Sequence, residues 1–292
     1  MHGCGPAVRR VRERARHRAG TPVVRPARVG LDRPVMTVPL PQGRAALGSF
    51  VLLPSPESAE LHARCGYDFL LIDAQHGLFA ESALHGLITA VELAGALPIV
   101  RVASGDHACI GRALDLGARA VVVPMVSTAA EAASAVAGCR YLPHGRRSYG
   151  PIRLLHTGRA AEPVGCFAMV ETAEGVADVD AIAATPGLTG VFVGPTDLAI
   201  SLGLPADHRV EDPVHDGAIQ RVADACRRHG IAAAIQTSSA AEAQHRISQG
   251  YTLVSLRSDV ALLTSASRDI AGSVRTATEH TRLPHRKSAH VT

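Results

Sequence analysis

The chain has no tryptophan, and aromatic residues make up only 3% of its 292 residues. Hydrophobic residues nevertheless reach 47%, so we expect aliphatic side chains and alanine to fill a large core. No apolar run approaches the ~20 residues that a membrane-spanning helix needs. The longest one, at residues 86–100, is interrupted by Glu92, Gly95 and Pro98. The absence of such a run argues against a membrane partner, and the length of 292 residues predicts one large globular domain or two small ones.

Paired cysteine motifs are also missing. The six cysteines, at positions 4, 65, 109, 139, 166 and 226, form no C-x-x-C pair. Cys109, Cys166 and Cys226 lie within apolar periodic segments, which predicts that they are buried as small hydrophobic residues. No secretory hydrophobic region follows the basic start of the chain. Both features favour a reducing compartment, and we predict a cytoplasmic protein.

Positive charge is concentrated at one end of the chain. Residues 1–35 hold nine Arg against Glu13 and Asp32, a net +7, whereas the whole chain carries +4. Residues 36–292 therefore carry about −3. The basic pI belongs to the N-terminal arm, which argues against a nucleic-acid partner for the folded body.

This change in composition divides the chain. We predict a disordered, Arg-rich N-terminal extension at residues 1–40, a folded domain at residues 41–278 and a flexible tail at residues 279–292. A nucleic-acid-binding arm, a transit peptide and a start codon placed upstream of Met36 are the alternatives for the extension. Its low serine content argues against the transit peptide.

Strand-like and helix-like segments alternate eight times between residues 47 and 277. The strand segments are continuous apolar runs, as buried parallel strands are, and the helix segments carry apolar residues at helical spacing. Eight such units in roughly 230 residues match a TIM (β/α)8 barrel. A doubly wound open sheet is the alternative, but Leu-Pro-Ser-Pro at residues 53–56 stands where a dinucleotide-binding fold has a glycine-rich loop. We therefore predict an α/β TIM barrel with its chemistry at the strand ends.

Residues 167–203 contain two strand segments, each followed by an acidic residue. The run at residues 167–170 ends at Glu171, and the run at residues 191–193 is followed by Gly-Pro-Thr and Asp197. Neighbouring strands lie about 4.8 Å apart, so two carboxylates at their ends can hold one hard divalent cation. Taken singly, each residue is more typical of a helix cap or a solvated loop charge than of a metal ligand. The pair predicts a metal site with coordination positions open to water or substrate.

Other strand segments also end in polar residues. The second ends at Asp73, with His76 close behind it, and the third ends near Arg101. The long connection at residues 140–161 contains further basic residues, and we expect it at the same face. That face would then gather acids, a histidine and an arginine.

The Gly194-Pro195 pair predicts a turn after the sixth strand segment. Such a turn exposes the backbone N–H groups of Thr196 and Asp197, and N–H groups exposed by a turn can bind an anion. We therefore expect Gly194, Thr196 and Asp197 to bind a substrate carboxylate.

Six segments with the same order and spacing carry a family resemblance: GYDFLLIDAQHG, PIVRV, ALDLGARAVVVPMV, YLPHGRRSYGP, MVETAEGV and GVFVGPTDLAISLG. Over roughly residues 45–275 the chain resembles the HpcH/HpaI aldolase/citrate lyase family. The resemblance implies a class II pyruvate aldolase on a TIM barrel of the phosphoenolpyruvate/pyruvate-domain type. It implies a divalent metal, Mg²⁺ or Mn²⁺ with Co²⁺ and Zn²⁺ as further candidates, and no organic cofactor. It also implies a homo-oligomer, commonly a hexamer whose last helix packs on a neighbour.

The resemblance assigns roles to matching residues. Glu171 and Asp197 are implied as metal ligands, and Arg101 as the group that stabilises the keto oxygen of the pyruvyl unit. The backbone at Thr196 and Asp197 is implied to hold the carboxylate. Cleaving a 4-hydroxy-2-oxo acid leaves negative charge on the former keto oxygen, which a cation and a fixed guanidinium both stabilise. Taken alone, Arg101 is equally consistent with a surface ion pair.

The resemblance also implies a base. His76 would act through a metal-bound water, Asp115 would be the acid partner that orients it, and Asp73 would lie near the metal's water shell. Histidine suits removal of the 4-hydroxyl proton because its pKa is near neutral. Asp115 lies between Leu114 and Leu116 on a predicted helix, and its spacing alone indicates a solvated charge.

Three positions depart from the best-known branch of the family. Met169 stands where that branch has Gln, Phe50 where it often has Trp, and Gln75 where it has Glu. The implied ligands and base are intact, so the departures concern the surroundings of the pocket. Because of these departures, the resemblance does not identify the aldehyde half of the substrate.

The sequence therefore predicts an aldehyde-lyase that reversibly cleaves a 4-hydroxy-2-oxo acid to pyruvate and an aldehyde through a metal-stabilised enolate. One alternative is a lyase of the citrate-lyase β type that acts on a CoA thioester. That substrate needs a basic groove, and the near-neutral body shows no obvious one. The other alternative is a non-catalytic barrel used as a binding module, with the Arg-rich arm recruiting nucleic acid.

Overall fold

Eight parallel strands close into one barrel, in which each strand pairs with the next and the last pairs with the first. The computed structural model describes residue 41 and residues 43–157, 164–206 and 212–279. The predicted TIM (β/α)8 barrel is confirmed. The strands are β1 (Ala46–Val51), β2 (Phe69–Asp73), β3 (Leu97–Arg101), β4 (Ala120–Val123), β5 (Gly165–Val170), β6 (Gly190–Val193), β7 (Ala232–Gln236) and β8 (Leu253–Leu256).

Helices connect the strands and cover the outside of the barrel. Within the described residues these are α1 (Pro56–Ala63), α2 (Leu84–Leu93), α3 (His107–Asp115), α4 (Ala129–Cys139), α5 (Ile152–His156), α6 (Ala173–Ala177), α7 (Val179–Ala183), α8 (Pro195–Ser201), α9 (Pro213–His229), α10 (Ala240–Ser248) and α11 (Asp259–Glu279). A 3₁₀ turn at Glu81–Ala83 precedes α2. The single helix expected around residues 174–185 is divided into α6 and α7, and α8 was not predicted as a helix.

Polar caps define many of the helix ends. Ser55 caps α1, and Thr128 and Glu131 form a reciprocal capping box at the start of α4. Asp212 caps α9, which ends at Gly230 in the left-handed conformation at φ 65°. Each N-cap of this kind contributes about 1 kcal/mol to stability. The local sequence therefore fixes where these helices begin and end.

The core has two layers. The barrel interior holds four of the five phenylalanines, Phe50, Phe69, Phe167 and Phe192, together with Met169. Alanine and branched aliphatic residues fill the layer between the strands and the helices, as the composition predicts. Most of the phenylalanines thus lie inside the barrel.

The long connection that begins at residue 140 lies at the other end of the barrel from the one predicted. It leads from α4 into β5, and in a β/α barrel every helix-to-strand connection reaches the amino-terminal end of the next strand. The expectation that it joins the face with Glu171 and Asp197 is therefore wrong. Residues 158–163 of this connection are outside the described ranges.

The cysteine predictions are largely met. Cys166 and Cys226 are buried, and Cys109 is half-buried. Burial raises the pKa of the Cys226 thiol to about 12, so the thiol stays protonated at neutral pH. No helix in the described part of the chain is both long and apolar enough to cross a membrane. The predicted extension at residues 1–40 and nearly all of the predicted tail fall outside the described residues.

Candidate active site

Five predicted residues lie at or just after the ends of strands, at the carboxyl-terminal end of the barrel. Asp73 and Arg101 are the last residues of β2 and β3, and they are paired in the sheet register. Glu171 comes directly after β5, and Asp197 lies in the first turn of α8 after β6. His76 is in the turn that follows β2. Because parallel strands all end at one edge, these side chains share one face.

Glu171 is almost fully buried, with 2% of its surface exposed. Its Oε1 accepts a hydrogen bond of 2.8 Å from the backbone N–H of Met125. Burial raises the pKa of the Glu171 carboxyl above its usual value, the Met125 N–H and the Arg101 guanidinium oppose the shift, and the nearby Asp197 carboxylate adds to it. The structure therefore brings Glu171 and Asp197 together. Glu171 does not cap α6.

That cap is supplied by Thr172, whose Oγ1 accepts a 3.0 Å hydrogen bond from the Gly175 N–H. Gly194 lies against Glu171 on the other side. A Cβ atom at Gly194 would overlap the Glu171 carboxylate, so only glycine lets the two strand ends approach this closely. The carboxylate is thus confined by backbone on two sides.

Met125 is a site residue that the sequence did not reveal. Among the described residues it is the one non-glycine residue with positive φ, at 57°. This conformation costs about 1–2 kcal/mol and places the Met125 N–H against Glu171. The next N–H, of Val126, donates to the Met169 carbonyl at 3.0 Å. The contribution comes from the backbone, so no side-chain motif marks it.

Arg101 and Asp73 form a bidentate ion pair inside the barrel. Arg101 Nε and Nη2 donate to the two Asp73 carboxylate oxygens at 2.9 and 2.6 Å, and only 8% of Arg101 is exposed. The guanidinium lies 5.1 Å from the centre of the Phe50 ring, and its Nη1 contacts the Met169 sulfur at 3.9 Å. A thioether is a weak acceptor. Nη1 therefore retains capacity to donate to a ligand.

Asp73 also fixes the turn that carries His76. Its Oδ1 accepts the backbone N–H groups of Gln75 at 3.1 Å and His76 at 3.2 Å. The Asp73 carboxylate therefore orients the Arg101 guanidinium and also fixes the backbone of the turn that contains His76. The His76 side chain itself is exposed.

Replacing Asp73 with Ala is expected to lower the free energy of unfolding by about 3–5 kcal/mol, because Arg101 would stay buried without its partner. Urea unfolding measures this change. Glu60→Ala is the control, since Glu60 pairs with Arg64 at 2.8 Å on the exposed face of α1. Its expected cost is about 0.5 kcal/mol or less. Equal costs for the two variants would contradict a buried, structural pair.

The first turn of α8 provides N–H groups at the same face. Gly194 is the N-cap, without a side-chain hydrogen bond, and Pro195 is the first helical residue. Proline has no N–H, so the next groups to point out of the helix start are those of Thr196 and Asp197. These N–H groups lie at the predicted turn, and their binding of a substrate carboxylate stays a prediction.

Asp115 is not brought to His76 within the chain. It is the last residue of α3, at the amino-terminal end of the barrel. Its Oδ1 accepts a 2.6 Å hydrogen bond from Nη2 of the buried Arg147, whose guanidinium lies 4.6 Å from the centre of the Tyr141 ring. No hydrogen bond joins Asp115 to His76 in the described structure. A single chain therefore does not form the expected pair.

The donor set fits a hard cation. Glu171 and Asp197 provide carboxylate oxygens, which Mg²⁺ and Mn²⁺ prefer. The described residues contain no group of three or more His, Cys, Asp or Glu side chains that could hold a metal ion. A cation here would take its other ligands from water or substrate, as Mg²⁺ commonly does.

Comparison with known proteins identifies the family. The HpcH/HpaI aldolase/citrate lyase profile matches residues 46–266. A hydroxypyruvate/pyruvate aldolase of Rhizorhabdus wittichii is 35% identical over 240 residues, covering 80% of this chain and 96% of the relative. A 4-hydroxy-2-oxovalerate aldolase of Rhodococcus jostii is 37% identical over 246 residues, covering 80% and 92%.

Solved structures agree with these relatives. A family member from Burkholderia cenocepacia has a TM-score of 0.73 at 34% identity, covering 80% of this chain and 95% of its own. A citrate synthase has a TM-score of 0.71 at 30% identity, covering 82% and 96%. The chain therefore belongs to the HpcH/HpaI aldolase/citrate lyase family and is a lyase of the pyruvate aldolase kind.

Proposed function

We propose that this enzyme is a divalent-metal-dependent aldolase that reversibly cleaves a 4-hydroxy-2-oxo acid into pyruvate and an aldehyde. The observation that carries the proposal is the Glu171–Asp197 carboxylate pair beside the buried Arg101 guanidinium. The names of the two relatives above, a hydroxypyruvate/pyruvate aldolase and a 4-hydroxy-2-oxovalerate aldolase, support the same substrate class.

Glu171 and Asp197 would hold the cation, with Mg²⁺ and Mn²⁺ as the first candidates and Co²⁺ and Zn²⁺ as further ones. When bound, it supplies Lewis-acid stabilisation of the negative charge that forms on the 2-oxo oxygen. Arg101 donates from Nη1 toward the same oxygen. The N–H groups of Thr196 and Asp197 receive the substrate carboxylate, which fixes the pyruvyl unit at the strand ends.

His76 acts as the base in this proposal. The neutral imidazole accepts the 4-hydroxyl proton, the C3–C4 bond breaks, and the aldehyde leaves. The electron pair remains on the pyruvyl fragment as an enolate, and the proton taken up by His76 is returned to C3 of this fragment to give pyruvate. Asp73 contributes by holding the His76 backbone and the Arg101 guanidinium with one carboxylate.

A role for Asp115 beside His76 requires a second copy of the chain, because the two residues lie at opposite ends of one barrel. This links the Asp115 assignment to the homo-oligomer, a hexamer by family resemblance. The long helix α11 supports an oligomer, since Leu263 is 61% exposed and Ile270 is 69% exposed two turns further along the same face. Exposed apolar residues that share one helix face can form a protein–protein contact surface.

The decisive test is pyruvate release from a 4-hydroxy-2-oxo acid with and without EDTA. Release is expected from the metal-loaded enzyme, to stop with EDTA and to return with Mg²⁺ or Mn²⁺. Lactate dehydrogenase and NADH give a continuous readout of pyruvate. Release that persists in EDTA would contradict metal dependence. No release with any metal, from protein shown to be folded, would favour a CoA-thioester lyase and then a non-catalytic barrel.

A further inference from the structure

His215 is a buried histidine behind the turn that carries Asp197. Only 1% of its surface is exposed, and it is the third residue of α9. Its Nε2 lies 2.8 Å from the carbonyl oxygen of Pro195. A carbonyl oxygen only accepts, so Nε2 carries the hydrogen and donates it. The mechanism described above makes no use of this side chain.

The Pro195 carbonyl belongs to a helix start that has no side-chain cap. Helices α1, α4, α9 and α10 begin with a capping side chain, whereas Gly194 at the start of α8 has none to offer. Helix α8 is also short, at seven residues. The hydrogen bond from His215 therefore ties its first turn to α9, a helix of 17 residues.

Burying this histidine has a cost. In the described structure the Nδ1 atom of His215 is buried and has no hydrogen-bond partner. When Nε2 holds the hydrogen of the neutral ring, Nδ1 is an acceptor, and an unsatisfied buried acceptor costs about 1–3 kcal/mol. An aliphatic side chain would fill the space without that cost. Packing alone therefore does not account for a histidine at this position, whereas the hydrogen bond to Pro195 does.

We propose that His215 is a positioning residue of the metal site. The hydrogen bond to Pro195 fixes the first turn of α8, and this turn sets where the Asp197 carboxylate stands relative to Glu171. The inference rests on the proposed role of Asp197 as a metal ligand. Groups that orient metal ligands from behind typically change metal affinity by 10–100-fold when they are removed.

The test is Mn²⁺ affinity, measured by titration calorimetry on the full chain without substrate. His215→Gln and His215→Asn form a matched pair, because both bury an amide but only the longer Gln reaches the Pro195 carbonyl. We expect His215→Asn to weaken Mn²⁺ binding about tenfold and His215→Gln to stay within about threefold of the wild-type protein. His215→Val is also expected to weaken Mn²⁺ binding about tenfold. It serves in place of His215→Asn if the Asn variant does not fold.

Tyr251→Phe is the control for a general loss of structure. The Tyr251 hydroxyl is buried and donates to the carbonyl of Ile219, also on α9, at 2.9 Å. Its removal deletes a comparable side-chain hydrogen bond to α9 that does not involve α8, so the melting temperature should fall while Mn²⁺ affinity stays unchanged. Equal affinities in the Asn, Val and wild-type proteins would overturn the role of His215, as would an equal loss in Tyr251→Phe.

Asp197→Ala separates this inference from the proposed function. If the wild-type protein binds Mn²⁺ no better than Asp197→Ala does, Asp197 is not a metal ligand. Both the proposed metal site and the proposed role of His215 are then wrong. If Asp197→Ala loses the binding but His215→Asn and His215→Val do not, the metal site stands and only the positioning role is overturned.

Discussion

Replacing Glu171 with Gln is expected to abolish metal binding and metal-dependent pyruvate release together, with a loss of at least about 10³-fold in kcat/KM. Gln keeps the shape of the side chain and an oxygen that accepts from the Met125 N–H, so the fold should survive. What disappears is the negative charge facing the cation. Lewis-acid stabilisation supplies several kcal/mol, and each 1.4 kcal/mol corresponds to a factor of ten in rate.

Calorimetry with Mn²⁺ and the coupled pyruvate assay measure the two losses on the same protein. Glu174→Gln is the matched control, because Glu174 is an exposed carboxylate in the first turn of α6, three residues further along the chain. That variant should bind Mn²⁺ and release pyruvate as the wild-type protein does. Undiminished activity in Glu171→Gln would refute the metal-ligand role.

Replacing His76 with Ala is expected to reduce cleavage by 10²–10⁴-fold, about the usual contribution of a general base, while Mn²⁺ affinity is retained. Asp115→Ala should also be impaired if Asp115 orients His76. Because the two residues lie at opposite ends of one barrel, mixing the two inactive variants should restore activity. Random pairing of equal amounts makes about a quarter of the sites intact, each with His76 from one chain and Asp115 from another.

The mixing experiment requires partial denaturation and refolding together, with exchange verified by a mass-tagged chain. Arg101→Ala mixed with His76→Ala is the control. Arg101 and His76 of one chain belong to the same site. Every site in the mixture therefore lacks one of the two residues, and no pairing of the chains restores it. Failure of the His76 and Asp115 variants to complement, after exchange is verified, would remove Asp115 from the reaction.

The sequence located the strand ends well because buried parallel strands have a simple signature. Their apolar runs stop where the chain reaches solvent or a site, and the first charged residue marks that point. Asp73, Arg101 and Glu171 were each placed within a residue of their strand ends in this way. The grouping of these three residues at one face then follows from the barrel fold, because all parallel strands end at the same edge.

The sequence was less informative where function depends on the backbone or on the direction of a helix. The Met125 N–H acts on Glu171 regardless of which side chain residue 125 carries. Asp115 was grouped with His76 through family resemblance, although the alternation of strands and helices places the end of α3 at the opposite end of the barrel. A histidine outside the motifs is expected at the surface, which is wrong for His215, because the packing of α9 on α8 buries it against Pro195.

Residue 125 reverses the usual relation between exposure and tolerance to substitution. The Met125 side chain is 54% exposed, which ordinarily means that most replacements are accepted. Its φ of 57° sets a different rule. Glycine adopts that angle without strain and asparagine with little, whereas valine and isoleucine resist it because of their branched Cβ. Anyone diversifying the mouth of this barrel would therefore treat residue 125 as part of the backbone framework, and not as a free surface position.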